Sequence, residues 1–198
     1  MANITKEHIL KVCTALFLQK GFKEVTMKEI VEKTGMSKGA IYHYFNSKEQ
    51  LFLEVINTTI TSAFDSHLSK TNYKSLNQFY HEFIEQITES TFLKNETGNK
   101  ISLNYFSLIF DALKIFPSFQ NKMFEYQQIQ LNFWKNIISS ARANGEIKSS
   151  INDEQIANMF IHSSDGAVMY NIFINSSNEE TRDYLLDIWD SFYAILKN

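Results

Sequence analysis

The sequence has one proline and six glycines in 198 residues. So little punctuation argues against a sheet, which needs frequent turns, and in favour of long helices. Cys13 is the single cysteine, so no disulfide can close within the chain, which fits a reducing compartment. No unbroken apolar run reaches the roughly 18 residues that a membrane-spanning helix needs. The opening Met1-Ala2-Asn3-Ile4-Thr5-Lys6-Glu7 lacks the basic-then-apolar pattern of a secretory signal. No Gly-rich or Ser-rich linker separates domains, so any two domains share a helix or pack tightly. These absences together predict a soluble, cytoplasmic protein with no membrane partner.

Signs of catalysis are equally thin. There is no phosphate-cradling Gly-rich loop, no nucleophile elbow and no His-Glu-x-x-His. His162 and Asp165 at i, i+3, and His81 and Glu85 at i, i+4, have spacings that could share a metal, but two-residue matches are common by chance. Asp111 and Glu125 read as surface carboxylates, or as partners for a cationic ligand. The expectation is no enzyme, no catalytic residue, no metal and no cofactor.

What is present is apolar and aromatic. Hydrophobic residues make up 44% and aromatics 14%, with 17 phenylalanines, enough to bury a sizeable core. The net charge of −3 hides a split. Residues 1–50 carry eight lysines against five glutamates, a net of +3, which leaves −6 for the rest. A basic head on an acidic body fits a nucleic-acid partner at one end.

Caps mark the helix starts. Thr26-x-x-Glu29, Ser47-x-x-Gln50, Ser75-x-x-Gln78 and Ser177-x-x-Glu180 match the capping box, and Asn152 with Gln155 is a looser version. A first helix is expected over about Thr5–Lys20, with Ile9, Val12, Cys13, Leu16 and Phe17 on one face and Gly21 as its stop. A second runs from Thr26 to about Lys33, with Ile30 and Val31 inward. Thr34-Gly35-Met36 turns the chain, and Ser37 opens a third helix ending near Phe45. Three short helices with a glycine turn between the second and third outline a helix-turn-helix. Longer helices follow over about Ser47–Ser69, Ser75–Phe92, Ile101–Ile115, Ser118–Ala143, Asn152–Ile174 and Glu179–Lys197. The polar stretch 94–99, Phe116-Pro117 and Asn144-Gly145 interrupt them.

From Thr26 the chain reads Thr26-Met27-Lys28-Glu29-Ile30, then Thr34-Gly35-Met36-Ser37-Lys38-Gly39-Ala40-Ile41-Tyr42-His43-Tyr44-Phe45-Asn46-Ser47-Lys48-Glu49-Gln50-Leu51. This string resembles the TetR family of bacterial repressors. The match takes in the Thr opening the second helix, the turn glycine, Ser-x-Gly-x-Ile-Tyr, the Tyr-Phe pair and the Lys-Glu-x-Leu entry to the fourth helix. Beyond it, only the helix count, Gly145-Glu146-Ile147 and Asp165-Gly166 are family-like. The resemblance implies an all-α chain of about nine helices. A three-helix DNA-binding domain over 1–46 would join a helical effector-binding and dimerisation domain over 47–198.

The residues fit that role on physical grounds. A helix entering the major groove needs small residues near its backbone and hydrogen-bonding tips further out. Ser37, Lys38, Gly39 and Ala40 supply small side chains and a cation at a helix start, where the dipole favours phosphate. Tyr42, His43 and Tyr44 add aromatic faces with polar tips, while Ile41 and Phe45, at i and i+4, point into the core. The resemblance implies that Lys38, Ala40, Tyr42 and His43 lie nearest the bases. It implies too that Thr26, Tyr44 and Lys48 grip the backbone, and Lys28 joins the DNA-facing set. Tyr44 is as well explained by packing, and Cys13, on the apolar stripe, reads as a core thiol.

In the second region, Phe83, Tyr105, Phe106, Phe110, Tyr126 and Trp134 are the candidate walls of an effector pocket, suited to an apolar or aromatic small molecule. Aromatics at helical spacing are more often plain core. On the last two helices Gly166, Ala167, Leu185, Ile188, Trp189, Phe192 and Ile195 are the candidate homodimer interface, a four-helix bundle across a two-fold axis. The expected function is a repressor released by its effector from a double-stranded, pseudo-palindromic operator. The alternative is a helical ligand-binding or scaffold protein without sequence-specific DNA binding.

Overall fold

A computed structural model describes residues 2–68, 73–89 and 103–198. Among the described residues there are nine helices and no strand: α1 Ala2–Glu24, α2 Met27–Thr34, α3 Lys38–Tyr44, α4 Lys48–Leu68, α5 Leu76–Glu89, α6 Leu103–Ile115, α7 Phe119–Ala143, α8 Asp153–Phe173 and α9 Asn178–Leu196. None of them is long and apolar enough to cross a membrane. The loop expected at 94–99, the end of the fifth helix past residue 89 and the start of the sixth before 103 lie outside the described residues. Two compact units divide the chain: residues 1–62 with 103–120, and residues 63–102 with 121–198. The unit holding the helix-turn-helix therefore extends beyond residues 1–46, taking in the first part of α4 and all of α6.

In the first unit the predicted stripe of α1 is the core face: Ile9, Cys13, Leu16 and Phe17 are buried, with Val12 half-buried beside them. Gly21 interrupts the helix at φ 74°, ψ 170°, a conformation that L side chains rarely adopt. The break lets Phe22 turn back onto the core. Its ring lies 6.2 Å from Phe17 and 4.7 Å from Phe52, and Phe116 stacks on Phe52 in turn. α6 packs along α1, burying Leu108 and Ala112.

The second unit is built on aromatic rings. Trp134 of α7 stacks on Phe160 of α8, with ring centroids 5.0 Å apart, and meets Phe79, Phe83 and Trp189 edge to face. Offset and edge-on contacts of this kind add roughly 0.5–1.5 kcal/mol per pair beyond the area they bury. Trp189 donates its indole N–H to Ser163 Oγ at 2.9 Å, so the ring is buried without stranding its polar edge.

The predicted caps form, and differ in completeness. Thr26, Ser47, Ser75, Asn152 and Ser177 each accept from the backbone N–H three residues on. Only at Ser177 does the return bond close the full box, from the Ser177 N–H to Glu180 Oε2 at 2.6 Å. The Gln50 and Gln78 carboxamides instead accept from the residue before the cap, Asn46 and Lys74, and Glu29 is held by Lys20.

Gly145 ends α7 in the left-handed conformation, with its own N–H on Arg142 and the Glu146 N–H on Ala141. That turn aims Glu146 at the start of α5. Its carboxylate accepts from the N–H groups of Leu76 and Asn77 at 2.9 and 3.1 Å and from the Tyr193 hydroxyl at 2.9 Å. A carboxylate at a helix N-terminus satisfies orphan donors and opposes the dipole. Glu146→Ala is expected to lower stability by about 1–3 kcal/mol, read as a fall in urea midpoint, with Glu146→Gln losing less. An unchanged Glu146→Ala midpoint would remove this cap from the account.

Burial also shapes the response to alkali. Desolvation pushes the Cys13 thiol from its ordinary value of 9.0 up to about 12. Burial, with help from Glu146, pushes the Tyr193 hydroxyl from 10.0 up to about 12. Both groups ionise in the unfolded chain before they do in the folded one. Stability is therefore flat below the unfolded values and falls as pH rises from about 9 towards 12. Chemical denaturation across that window should show the decline, and Cys13→Ala should remove its earliest part.

Candidate nucleic-acid interface

α2 and α3 form two short helices around a tight turn. Ile30 and Ile41 are fully buried and Phe45 nearly so, which anchors both helices from below. Gly35 makes the turn at φ 67°, and its N–H caps α2 on Glu32. Thr34, buried beside it, donates its hydroxyl to Ile30 O at 2.7 Å, and His8 of α1 contacts Thr34 O at 3.1 Å. The helix pair is thus tied to α1 at its turn. It is tied a second time by Lys20, whose ammonium lies 2.6 Å from Glu29.

With Ile41 and Phe45 inward, the outer face of α3 presents Lys38, Gly39, Tyr42 and His43 to solvent, with Ala40 half-buried at its edge. Tyr42 is a large aromatic residue left 38% exposed. The Lys38 ammonium lies over its ring, 5.6 Å from the centroid. His43 and Tyr44 meet edge to face at 5.1 Å, and Tyr44 also reaches the Phe45 ring, so it is half-buried packing as well as surface. Thr26 and Ser37 spend their acceptor oxygens on the helix caps, from Glu29 and Ala40 N–H groups. Each hydroxyl retains a proton to donate outward. Lys28 is exposed on α2.

Lys48 occupies a position that the sequence reading did not foresee. Its ammonium donates to the carbonyls of Phe22 and Val25, both at 2.9 Å, and sits 4.2 Å from the Phe22 ring centroid. Two of its three protons therefore hold the corner between α1 and α2, and one remains. The hint in the sequence was Gly21: a helix broken by glycine leaves carbonyls that need donors.

The other predicted residues divide between the units. Phe83 and Trp134 are buried in the aromatic core, packed against each other and against the rings of Phe79, Phe160 and Trp189. Tyr105 and Phe106 on α6 meet edge to face at 5.5 Å and are half-buried, Phe110 is exposed, and Tyr126 lies under Lys122 at 5.8 Å. Of the expected dimer set, Ala167, Leu185 and Trp189 are spent on the chain's own core. Ile188 and Phe192 are half-buried, and Gly166 and Ile195 face outward. Sequence periodicity missed several of the apolar residues left outside, among them Met159, Tyr170 and Phe173 of α8 and Tyr184 of α9. His162 and Asp165 are 3.9 Å apart on the surface, and His81 pairs with Asp190 at 3.3 Å rather than with Glu85. Among the described residues no three potential ligands cluster around a metal site.

Comparison with known proteins places this geometry. The model of the bacterial regulatory proteins of the tetR family matches residues 9–55, which cover most of α1, α2, α3 and the start of α4. The HTH-type transcriptional regulator YfiR of Bacillus subtilis is 31% identical over 94 residues, spanning 44% of this chain and 46% of YfiR. The HTH-type transcriptional regulator QacR of Staphylococcus aureus is 44% identical over 52 residues, 26% of this chain and 28% of QacR. The chain thus matches less than half the length of either relative. In fold the likeness is wider: the reduced form of Escherichia coli NemR superposes with a TM-score of 0.69 at 18% identity, covering 93% of this chain and 97% of NemR. The helix-turn-helix, its capped turn and its outward aromatic face coincide with the matched segment, and over residues 9–55 the chain is similar to the tetR family of bacterial regulatory proteins.

Proposed function

We propose that this protein is a homodimeric, DNA-binding transcriptional regulator, a repressor that leaves a pseudo-palindromic operator when a small apolar or aromatic effector binds. The observation that carries the reading is the outer face of α3. A Cβ at Gly39 would meet nothing within 4 Å, so no neighbour in the chain requires glycine there. Glycine inside a helix costs about 1 kcal/mol relative to alanine. A demand for the smallest residue at an exposed helix start fits a surface that another backbone approaches closely, and Lys38, Tyr42 and His43 surround it. Lys38, Ala40, Tyr42 and His43 take the bases, and Thr26, Lys28, Ser37 and Tyr44, with the remaining Lys48 proton, take phosphates.

Two such heads must sit about 34–36 Å apart to enter successive major grooves. The exposed apolar residues of α8 and α9 supply the surface for pairing. Met159, Gly166, Tyr170 and Phe173 recur at helical spacing on one side of α8, and Tyr184, Ile188 and Ile195 do so on α9. Phe173 is 72% exposed and Ile195 64%, in a chain whose other large apolar groups are mostly covered. The effector reading rests on α6, where Tyr105, Phe106 and Phe110 keep accessible surface and Tyr105 carries a hydroxyl that burial raises to about 12. Because α6 packs on α1, a ligand that shifted α6 would act directly on the unit that holds α3.

Fluorescence anisotropy of the purified protein against DNA fragments tiling its own gene region tests the central reading. Tight, salt-sensitive binding to one fragment is expected, and equal weak binding to all would favour a scaffold role. Gly39→Leu should leave the melting temperature unchanged or higher while weakening that binding roughly tenfold or more. Loss of both together would make Gly39 a structural residue. Tyr170→Asp with Ile195→Asp should convert the dimer to monomer in light scattering and weaken operator binding in parallel. A dimer that survives both changes would place the interface elsewhere.

A further inference from the structure

The proposed DNA-binding face contains a two-residue unit, Lys38 with Tyr42. Lys38 stands in the first turn of α3, one residue past the Ser37 cap, and Tyr42 follows one turn later at i+4. Residues four apart share a helix face, and here the ammonium lies over the ring at 5.6 Å. Three other lysines of this unit are held by the chain: Lys6 by Glu54, Lys20 by Glu29 and Lys48 by two carbonyls. Among the described residues Lys38 makes no ion pair and no hydrogen bond, so the ring of Tyr42 orients it without consuming a single N–H. No acidic residue lies in the first turn of α3 to draw it aside.

An oriented lysine with all its donors intact, on the outward face of a helix built for the major groove, is matched to adjacent acceptors. Guanine is the base that offers two, N7 and O6, on one major-groove edge, whereas adenine sets a donor beside its N7 and thymine sets a methyl beside its O4. We infer that Lys38, held by Tyr42, reads a guanine in each operator half-site. Tyr42 acts as a positioning residue for Lys38 as well as a contact, through the face of its ring rather than its hydroxyl. This rests on the DNA-binding reading above and adds to it a base identity and the residue that chooses it.

The test is selection from a pool of random-sequence duplexes by the full-length protein, followed by affinity measurement on the selected site. The wild-type protein should recover an inverted repeat with a guanine at one position in each half. Lys38→Met keeps the aliphatic stem and removes the charge. It should erase the preference at that position alone and weaken binding to the selected site roughly five- to a hundredfold. Tyr42→Phe keeps the ring and should keep the guanine preference at reduced affinity, whereas Tyr42→Leu should lose it. Both side chains are exposed, so thermal melts should match the wild type. A Lys38→Met protein that selects the same guanine overturns the inference. So does a uniform loss across all sequences with a shallower salt dependence, which would make Lys38 a phosphate contact. A wild-type protein that selects no motif overturns the DNA-binding reading as well.

Discussion

The Lys48 ammonium, seated on the carbonyls of Phe22 and Val25, is the contact on which the DNA-binding head depends. Gly21 breaks α1 near its end, and a broken helix leaves carbonyl groups without partners. Buried and unpaired, each would cost about 1–3 kcal/mol. One lysine from the start of α4 satisfies two of them and lies across the Phe22 ring. In doing so it locks the corner from which α2 and α3 depart. The direction of α3, and hence of every side chain it offers outward, follows from that corner.

The second unit solves the same problem with both signs of charge. The Glu146 carboxylate takes the orphan N–H groups at the start of α5, and the Arg142 guanidinium takes the carbonyls of Ser149 and Ile151 together with Asp153. Both residues flank the Gly145 turn, so the end of one helix organises the beginnings of two others, α5 and α8. Around this polar frame the aromatic residues close completely. That closure is why Phe83 and Trp134 are core, while exposed rings such as Phe124, Tyr170, Phe173 and Tyr184 lie on the outward faces of α7, α8 and α9.

Much of this was legible in the chain itself. A glycine with positive φ, a Ser or Thr followed three residues later by Glu or Gln, and an apolar residue every third or fourth position are local signals. They depend on backbone sterics and on bonds within one turn. The described helix starts and stops fall within a few residues of where those signals place them, the end of α5 and the start of α6 lying outside the described residues. The Ser37–Tyr44 face was readable because burial of Ile41 and Phe45 determines the orientation of every other residue on a seven-residue helix. Partners far apart in sequence left no local mark. Lys48 with Phe22, Glu146 with Leu76, and His81 with Asp190 are such pairs.

The sequence by itself determined the helices, the order in which they come, the turn of the helix-turn-helix and which side of α3 faces out, since each follows from chemistry within a few residues. Only the tertiary structure decided how helices with more than one apolar face use them. On α9 Leu185 and Trp189 turn inward while Tyr184 and Ile195 remain outside, although all four sit on neighbouring stripes. Likewise α6 joins the unit of α1 rather than that of α5, α7, α8 and α9. Periodicity shows that a face is apolar. It carries no information about which partner covers it, because burial is non-directional and any apolar surface of the right shape will do.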